Sequence, residues 1–288
     1  MSEYRYGRKR NGIIRELNKK VDSWVSSVKD NDVKKIILEN GLITGGSIAS
    51  MLLGEKINDF DIYFKTRQAA KVVAEYYAGQ CGLEGKVYLD EIKNIHGVVE
   101  ERVIIGVTRE GIQHSQDEDD KDYKVSFVSP NAITLTNKIQ IVIRFFGDAD
   151  KIHENYDFAH CMCSYDINKR KLHLPPDALE ALLARTLFYK GSLYPIASIF
   201  RMKKFVERGW RVGAGELLKI MWQISELDLT DKNIMSEQLT GVDLAYLGML
   251  IEAIKDLDPE KLTSKYVIEV IDRIFGGSDY IDEMQEDV

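Results

Sequence analysis

Two aspartates, Asp59 and Asp61, are separated by one residue in the stretch NDFDIYF, residues 58–64. The alternation of apolar and acidic residues predicts a half-buried strand, in which successive side chains point to opposite faces. Both carboxylates then share one face, about 6.5 Å apart along the strand, and the apolar residues share the other. Carboxylates so placed repel each other, and a divalent cation such as Mg²⁺ removes the repulsion. The spacing therefore predicts metal-dependent phosphoryl chemistry.

A glycine-rich turn precedes this strand. The apolar run GLIT, residues 41–44, predicts a buried strand, and residues 47–53 predict a short helix that Gly54 ends. Between them, glycines allow the backbone to approach a phosphate closely, and the serine can cap the helix or donate its hydroxyl to an anion. A plain strand-to-helix turn is the alternative. Because the aspartate pair follows, we expect nucleotide phosphates to bind at Gly45, Gly46 and Ser47.

The order of a G-G-S turn, a short helix and D-x-D resembles the signature of the DNA polymerase β nucleotidyltransferase superfamily. The likeness is greatest to CCA-adding enzymes and bacterial poly(A) polymerases, where the segment reads approximately G-G-x-V-R-D-L-L-L-G-x-x-x-x-D-x-D. Residues 45–61 here read GGSIASMLLGEKINDFD, with Ala49-Ser50 in place of the family's Arg-Asp. Residues 157–166, DFAHCMCSYD, are similar to the family's D-F-T-I-N-A-L-A-Y-D. Residues 199–205, IFRMKKF, are similar to I-L-R-A-I-R-F.

The resemblance spans residues 41–210 and implies transfer of a nucleoside monophosphate from an NTP such as ATP, with release of pyrophosphate. It implies two Mg²⁺ ions, for which Mn²⁺ could substitute, held by Asp59 and Asp61. The acceptor that it favours is the 3′ end of an RNA, such as a tRNA. The fold that it implies is a palm-like α+β domain.

The superfamily usually carries a third carboxylate on a neighbouring strand. Asp157 is the expected third metal ligand and catalytic acid, because it begins a predicted strand over residues 156–165 and matches an acid of the related motif. An acid that meets solvent or a ribose hydroxyl is the alternative there. Gln140 occupies the kind of place where many relatives have this carboxylate, and an amide there would weaken activity. Asp90 is a more distant candidate.

Two segments depart from the family's pattern. Asn155-Tyr156 stands where relatives have two arginines, and residues 193–198, LYPIAS, replace the E-D-P-x-R set that reads the base. The change argues against CCA addition itself and leaves the choice of nucleotide open. Two alternatives therefore remain: a toxin-like transferase that modifies a protein (AMPylation-type) or tRNA, and a catalytically silent nucleotide-binding scaffold.

Several other side chains are weaker candidates. Arg201 and Lys204 lie on one face of a predicted helix and could contact the triphosphate or a polynucleotide, as could Lys190 nearby. A solvated basic face is the alternative. His160 lies next to Cys161 and close to Cys163, but strand alternation puts the histidine on the face opposite both thiols. Packing is therefore a better interpretation of this group than a zinc site.

The order of elements predicts an α+β protein, in which a palm-like mixed sheet with flanking helices is followed by an all-helical C-terminal domain. We place a helical lead-in at residues 1–29, a nucleotidyltransferase catalytic domain at residues 30–175 and a helical domain at residues 176–288. The acidic run at residues 117–120 predicts a mobile loop between two strands.

Composition limits the classes of protein to which the chain could belong. The 288 residues are 44% apolar and 30% charged, and no stretch reaches the roughly 18 apolar residues of a membrane span. A basic N-terminus without an apolar core predicts no export, and three cysteines suit the cytoplasm. The net charge of −7 argues against a protein that coats nucleic acid indiscriminately. Residues 1–20 nevertheless hold seven Lys or Arg and two acids, which allows a local basic surface.

Overall fold

The computed structural model describes residues 7–93, 99–108, 111–113 and 123–229, together with residues 231, 234 and 238. The chain divides into two compact units. The first comprises residues 1–192 and 209–217, and the second comprises residues 193–208 and 218–288. The glycine turn and all three candidate metal ligands belong to the first unit.

Among the helices of the described residues, the third covers residues 46–53, close to the predicted 47–53. Asp30 caps the second helix by accepting the N–H groups of Asp32 and Val33, and Gly54 ends the third in a left-handed conformation with φ 71°. None of the helices in the described part of the chain has the length and hydropathy that crossing a bilayer requires. The helices are α1 (Arg10–Ser27), α2 (Asn31–Asn40), α3 (Gly46–Leu53), α4 (Arg67–Gly79), α5 (Ala149–His153), α6 (Pro176–Ala184), α7 (Pro195–Glu207) and α8 (Ala214–Ser225).

The strands form one large mixed sheet and two small ones. They are β1 (Gly41–Thr44), β2 (Phe60–Phe64), β3 (Val87–Lys93), β4 (Val99–Ile105), β5 (Ile112–Gln113), β6 (Val125–Val128), β7 (Ala132–Leu135), β8 (Ile139–Phe146), β9 (Ser164–Asp166), β10 (Lys171–His173), β11 (Thr186–Leu187) and β12 (Arg211–Val212). The large sheet has the order β10-β9-β1-β2-β8-β7-β6-β5. In it β1 lies antiparallel between β9 and β2, while β2 and β8 run parallel. The predicted α+β fold with a mixed sheet is confirmed.

One face of the central strands is core. Phe60, Ile62 and Phe64 of β2 are buried as the alternation predicts, and α4 packs against β2 and β8 on that side. Trp24 of α1 donates its indole N–H to the hydroxyl of Tyr77 of α4 at 2.7 Å, which ties the two helices together. These contacts hold the strand that carries Asp61.

The opposite face is only partly covered. Leu42 of β1, Tyr63 of β2 and Ile152 of α5 form a buried cluster, against which Tyr156 packs. Residues paired directly across antiparallel strands share a face, so this cluster and Asp61 lie on the same side of the sheet. The helix α5 therefore borders the face from which a ligand would reach Asp61.

The structure corrects three sequence-based predictions. Residues 156–165 are not one strand: a 3-10 turn covers Ala159–Cys161, and strand β9 begins only at Ser164. Asp59 lies just before β2 rather than inside it. The segment after residue 176 is not all-helical, because β11 and β12 form a small parallel sheet. The predicted loop at residues 117–120 and about half of the predicted helical domain lie outside the described residues.

Candidate functional site

The turn between β1 and α3 has a backbone conformation that requires glycine. Gly45 has φ 98° and ψ −157°, a region that residues with a side chain rarely adopt. Its N–H donates to the carbonyl of Cys161 at 3.2 Å, which fixes the turn against the 3-10 turn. The chain then enters α3 at Gly46, so the first N–H groups of this helix have no partner within it.

Asp61 lies directly against this turn. Thr44, the last residue of β1, pairs with Asp61 of β2, so the carboxylate projects beside the following residue. A Cβ atom placed on Gly45 would lie 2.6 Å from Asp61 Oδ2. Any side chain at Gly45 would collide with the carboxylate. The glycine turn and the acid therefore form one site.

The two aspartates share an environment that disfavours negative charge. Burial, with a smaller contribution from the charge of Asp59, raises the pKa of Asp61 to about 8. Burial also raises the pKa of Asp59, while its own backbone N–H and the ammonium of Lys138 oppose the rise. Two carboxylates that are costly to ionise fit a divalent cation, whose shell substrate phosphates can complete. Asp59 and Asp61 are the residues that could hold it.

An anion could bind at the start of α3. Ser47 is buried, yet its Oγ has no hydrogen-bond partner among the described residues. It does not cap the helix, because Gly45 occupies the capping position. A Cβ atom on Gly46 would meet nothing within 4 Å, so space is open at this point. A free hydroxyl, helix N–H groups and open space together suit a phosphate.

A hydrogen-bonded group lies beneath the turn. The hydroxyl of Thr44 donates to the carbonyl of Cys163 at 2.9 Å and lies 2.7 Å from His153 Nε2. Because a hydroxyl has one hydrogen, His153 must donate from Nε2. The hydroxyl of Tyr156 lies 3.6 Å from the position of a Cβ on Gly45, and its ring packs against the rings of His153 and Tyr63. These side chains pack next to the glycine turn and support it.

A mixed sheet, a glycine turn that opens a helix, and an acidic pair at the start of the adjacent strand are the features that the sequence predicted for a nucleotidyltransferase-like fold. By its sequence, the chain belongs to the Gabija anti-defense 2 family, whose sequence profile matches residues 15–185, more than half of its length. The family was not foreseen from the motifs, and the greater likeness to CCA-adding enzymes stays a prediction.

One curated relative is Gabija anti-defense 2 of Bacillus phage SPbetaL7. It is 22% identical over 228 residues, which are 78% of this chain and 48% of the relative. The chain thus spans about half the length of this relative. Among solved structures, a Thermotoga maritima CCA-adding enzyme complexed with tRNA is similar with a TM-score of 0.40 and 14% identity, over 83% of this chain and 56% of that one. A CCA-adding enzyme with ATP gives 0.44 and 12%, over 93% and 55%.

Asp157 does not join the pair of aspartates. Its carboxylate accepts a hydrogen bond from Ser192 at 3.2 Å, and its carbonyl accepts the N–H of Lys190 at 2.8 Å. Among the described residues, no group of three or more His, Cys, Asp or Glu could hold a metal ion. Asp157 precedes the 3-10 turn and does not begin a strand as predicted, and its role as a metal ligand stays a prediction. His160, predicted to pack, is buried with its ring centroid 4.2 Å from that of Trp210.

The neighbour of Asp61 in the sheet is an amide. Gln140 of β8 pairs with Asp61 across the parallel strands and with Thr134 of β7 on its other side. Of the three candidates for the third acid position, Gln140 is therefore the one placed beside Asp61. Asp90 instead accepts two hydrogen bonds from Arg102 across the β3–β4 pair, at 2.6 and 2.9 Å.

The basic side chains that the sequence suggested as ligands of phosphate lie in different parts of the chain. Lys190 Nζ donates to Asp177 of α6 at 3.0 Å, so its ammonium is paired with a carboxylate. Arg201 and Lys204 lie on α7 in the second unit. The basic N-terminal segment is partly used internally: Arg8 pairs with Glu16, and Arg10 donates to the carbonyl of Leu172.

Sequence reasoning missed Thr44, His153, Tyr156 and Lys138, which surround the turn or Asp59. Only Tyr156 left a signal, since it replaces an arginine of the related motif. The others come to the site from elements distant in the chain, and no local pattern marks such residues.

Proposed function

We propose that the chain is a metal-dependent nucleotidyltransferase that moves a nucleoside monophosphate from an NTP to an acceptor hydroxyl. The observation that carries the proposal is the position of Asp61 Oδ2 against Gly45, with Asp59 beside it and a helix N-terminus at the same turn. In this proposal an anion site and a cation site adjoin, as a metal-bound triphosphate requires.

Each residue of the site has a role in this proposal. The N–H groups at the start of α3 and the hydroxyl of Ser47 bind phosphate oxygens. Asp59 and Asp61 hold Mg²⁺, or Mn²⁺ in its place. When bound, such ions stabilise the charge that develops on attacking and leaving oxygens. Tyr156 and His153 pack against the glycine turn and β1 and keep them in position.

The reaction joins the acceptor oxygen to the α-phosphorus, breaks the bond between the α- and β-phosphates, and releases pyrophosphate. We take the 3′ hydroxyl of an RNA, such as a tRNA, as the acceptor, because the resemblance to CCA-adding enzymes favours it. A protein hydroxyl is the alternative. The net charge of −7 and the internal pairing of Arg8 and Arg10 limit any RNA contact to a local surface.

The relative's name supplies a biological setting. It is called an anti-defense protein against Gabija, and this chain belongs to the same family. We propose that this chain also counters Gabija defence and that the site at Gly45 and Asp61 serves that role. This proposed role is assigned to a chain that spans about half the length of the relative.

A nucleotide-binding protein without transfer activity is the second candidate. The observation that favours it is Gln140, an amide in register with Asp61, while Asp157 lies elsewhere. Without a third carboxylate, the acceptor hydroxyl has no additional acid beside it. Such a protein would bind NTP and metal, and it would act through this binding without transferring the nucleotide.

One experiment separates these possibilities. The full chain is incubated with each α-labelled NTP, Mg²⁺, and either total RNA or bacterial lysate protein. We expect label in RNA, and Asp61→Asn should lower it by more than about 100-fold. Glu180→Gln, which removes an exposed acid of α6, is the matched control and should transfer normally.

The outcomes differ for each candidate. Label in protein would replace the RNA acceptor. Nucleotide binding without transfer, followed by detectable transfer in Gln140→Glu, would establish the second candidate. Absence of any NTP binding would reject both. Phage growth on Gabija-carrying bacteria, with wild-type chain or Asp61→Asn, tests whether the site serves the anti-defence role.

A further inference from the structure

The turn between β7 and β8 has an unfavourable backbone. Asn137 and Lys138 have φ values of 60° and 61°, in the left-handed region. Asparagine tolerates this region better than most residues, whereas lysine gains nothing from it locally. Glycine would adopt it without cost. A lysine kept in such a conformation, next to a candidate site, points to a use for its side chain.

Hydrogen bonds of Asn137 and Lys138 hold this turn in place. The carbonyl of Asn137 accepts the ammonium of Lys20 of α1 at 2.9 Å. The carbonyl of Lys138 accepts the N–H of Phe60 at 2.8 Å, and Lys138 Nζ donates to the carbonyl of Ile57 at 3.0 Å. The backbone and the side chain of one residue thus contact the chain at two points.

These two points bracket Asp59. The segment from Glu55 to Asp59 is neither helix nor strand, so no regular ladder fixes it. Lys138 holds it at residue 57 through its side chain and at residue 60 through its backbone. The position of Asp59 relative to Asp61 therefore depends on Lys138.

We propose that Lys138 is a positioning residue, whose ammonium holds the 57–60 segment so that Asp59 can bind metal together with Asp61. The proposal rests on the proposed function. Glycine at position 138 would relieve the backbone and keep the carbonyl that accepts from Phe60, but it would lose the bond to Ile57. Local stability favours glycine there, and the site requires lysine.

The substitution Lys138→Gly, with Asn137→Gly as matched control, tests the role of the side chain. Both variants relieve a positive φ of nearly the same value and keep the backbone acceptors. We expect neither to lower the melting temperature. In metal-free full-length protein, amide hydrogen exchange at residues 56–60 should be faster in Lys138→Gly than in wild type or Asn137→Gly. Unchanged exchange in Lys138→Gly would overturn the proposal.

Mn²⁺ binding, followed by electron paramagnetic resonance, is the second readout. Removal of a positive charge would by itself strengthen cation binding, by less than about threefold. Loss of positioning should weaken it about tenfold, as for other residues that orient metal ligands. We expect weakening in Lys138→Gly, none in Asn137→Gly and recovery in Lys138→Arg.

The Mn²⁺ measurements also distinguish a failure of the positioning role of Lys138 from a failure of the metal site itself. If wild type binds Mn²⁺, Asp61→Asn does not, and Lys138→Gly binds as tightly as wild type or more tightly, only the positioning role is rejected. If wild type and Asp61→Asn both fail to bind Mn²⁺, the metal site is rejected, and the positioning role with it.

Discussion

The two glycines of the turn meet different surroundings, although they are adjacent in the sequence. Gly45 has a positive φ and lies against Asp61, so the fold itself needs it. Gly46 has a φ that any residue can adopt, and open space surrounds the position of its absent side chain. The fold does not explain Gly46, whereas a ligand in that space would.

We therefore predict that Gly46→Ala leaves the fold intact and impairs nucleotide binding. Stability should change by less than about 1 kcal/mol, because alanine suits the first turn of a helix. Binding of Mg²⁺-ATP, measured by calorimetry, should weaken at least about tenfold, because the methyl group would occupy the phosphate space.

The control for this prediction is Gly45→Ala. It should destabilise the protein by roughly 1–3 kcal/mol in denaturant unfolding, since the backbone is strained and the methyl group meets Asp61. If Gly46→Ala binds Mg²⁺-ATP as wild type does, the phosphate does not lie at the start of α3.

At the scale of elements, α5 is joined to β1 by one buried hydrogen bond. His153 of α5 donates to Thr44, and burial lowers the pKa of His153 to about 4, while Asp150 opposes this and His173 adds to it. The folded state thus favours neutral histidine. Its contribution to stability is complete above the usual pKa of 6.5 and is lost as the pH falls from about 6.5 to about 4.

His153→Gln should make stability less sensitive to acid in this window. Glutamine keeps a donor for Thr44 but does not titrate. Urea unfolding at several pH values measures the difference between variant and wild type. Burial also lowers the pKa of His160 to about 4, and the pKa of Asp61 is raised. Both residues contribute equally to the pH dependence of stability in variant and wild type. Parallel pH profiles for the two proteins would show that His153 does not titrate on unfolding.

At the scale of the whole molecule, the first unit is not continuous in sequence. The chain leaves it after Ser192 and returns from Gly209 to Leu217. The returning segment carries Trp210, which is buried with its ring against His160, and Glu216, which accepts the N–H of Tyr189. Residues 209–217 are therefore part of the core that supports the 3-10 turn.

Two tryptophans allow a matched test of this arrangement. Trp210→Ala should lower the free energy of unfolding by about 3–5 kcal/mol, because it removes a buried aromatic side chain. Trp222→Ala on α8 should change it by less than about 0.5 kcal/mol, because Trp222 is 71% exposed. Denaturant unfolding measures both. Equal effects would mean that residues 209–217 do not belong to the first core.

The sequence by itself determined the features that depend on neighbours along the chain. The alternation in residues 58–64 predicted the buried face of β2, and the glycine turn with its short helix followed from residues 41–54. Local patterns suffice there, because strand alternation and helix ends are set by the nearest residues.

Only the tertiary structure decided which distant residues meet the aspartates. It paired Gln140 with Asp61, turned Asp157 towards Ser192, and brought Lys138 to the segment that carries Asp59. Strand register and loop contacts arise from packing between elements that are far apart in sequence. A pattern within one element contains no information about its partner. Only the resemblance to the superfamily therefore pointed to Gln140, and the contacts of Asp157 and Lys138 were beyond sequence reasoning.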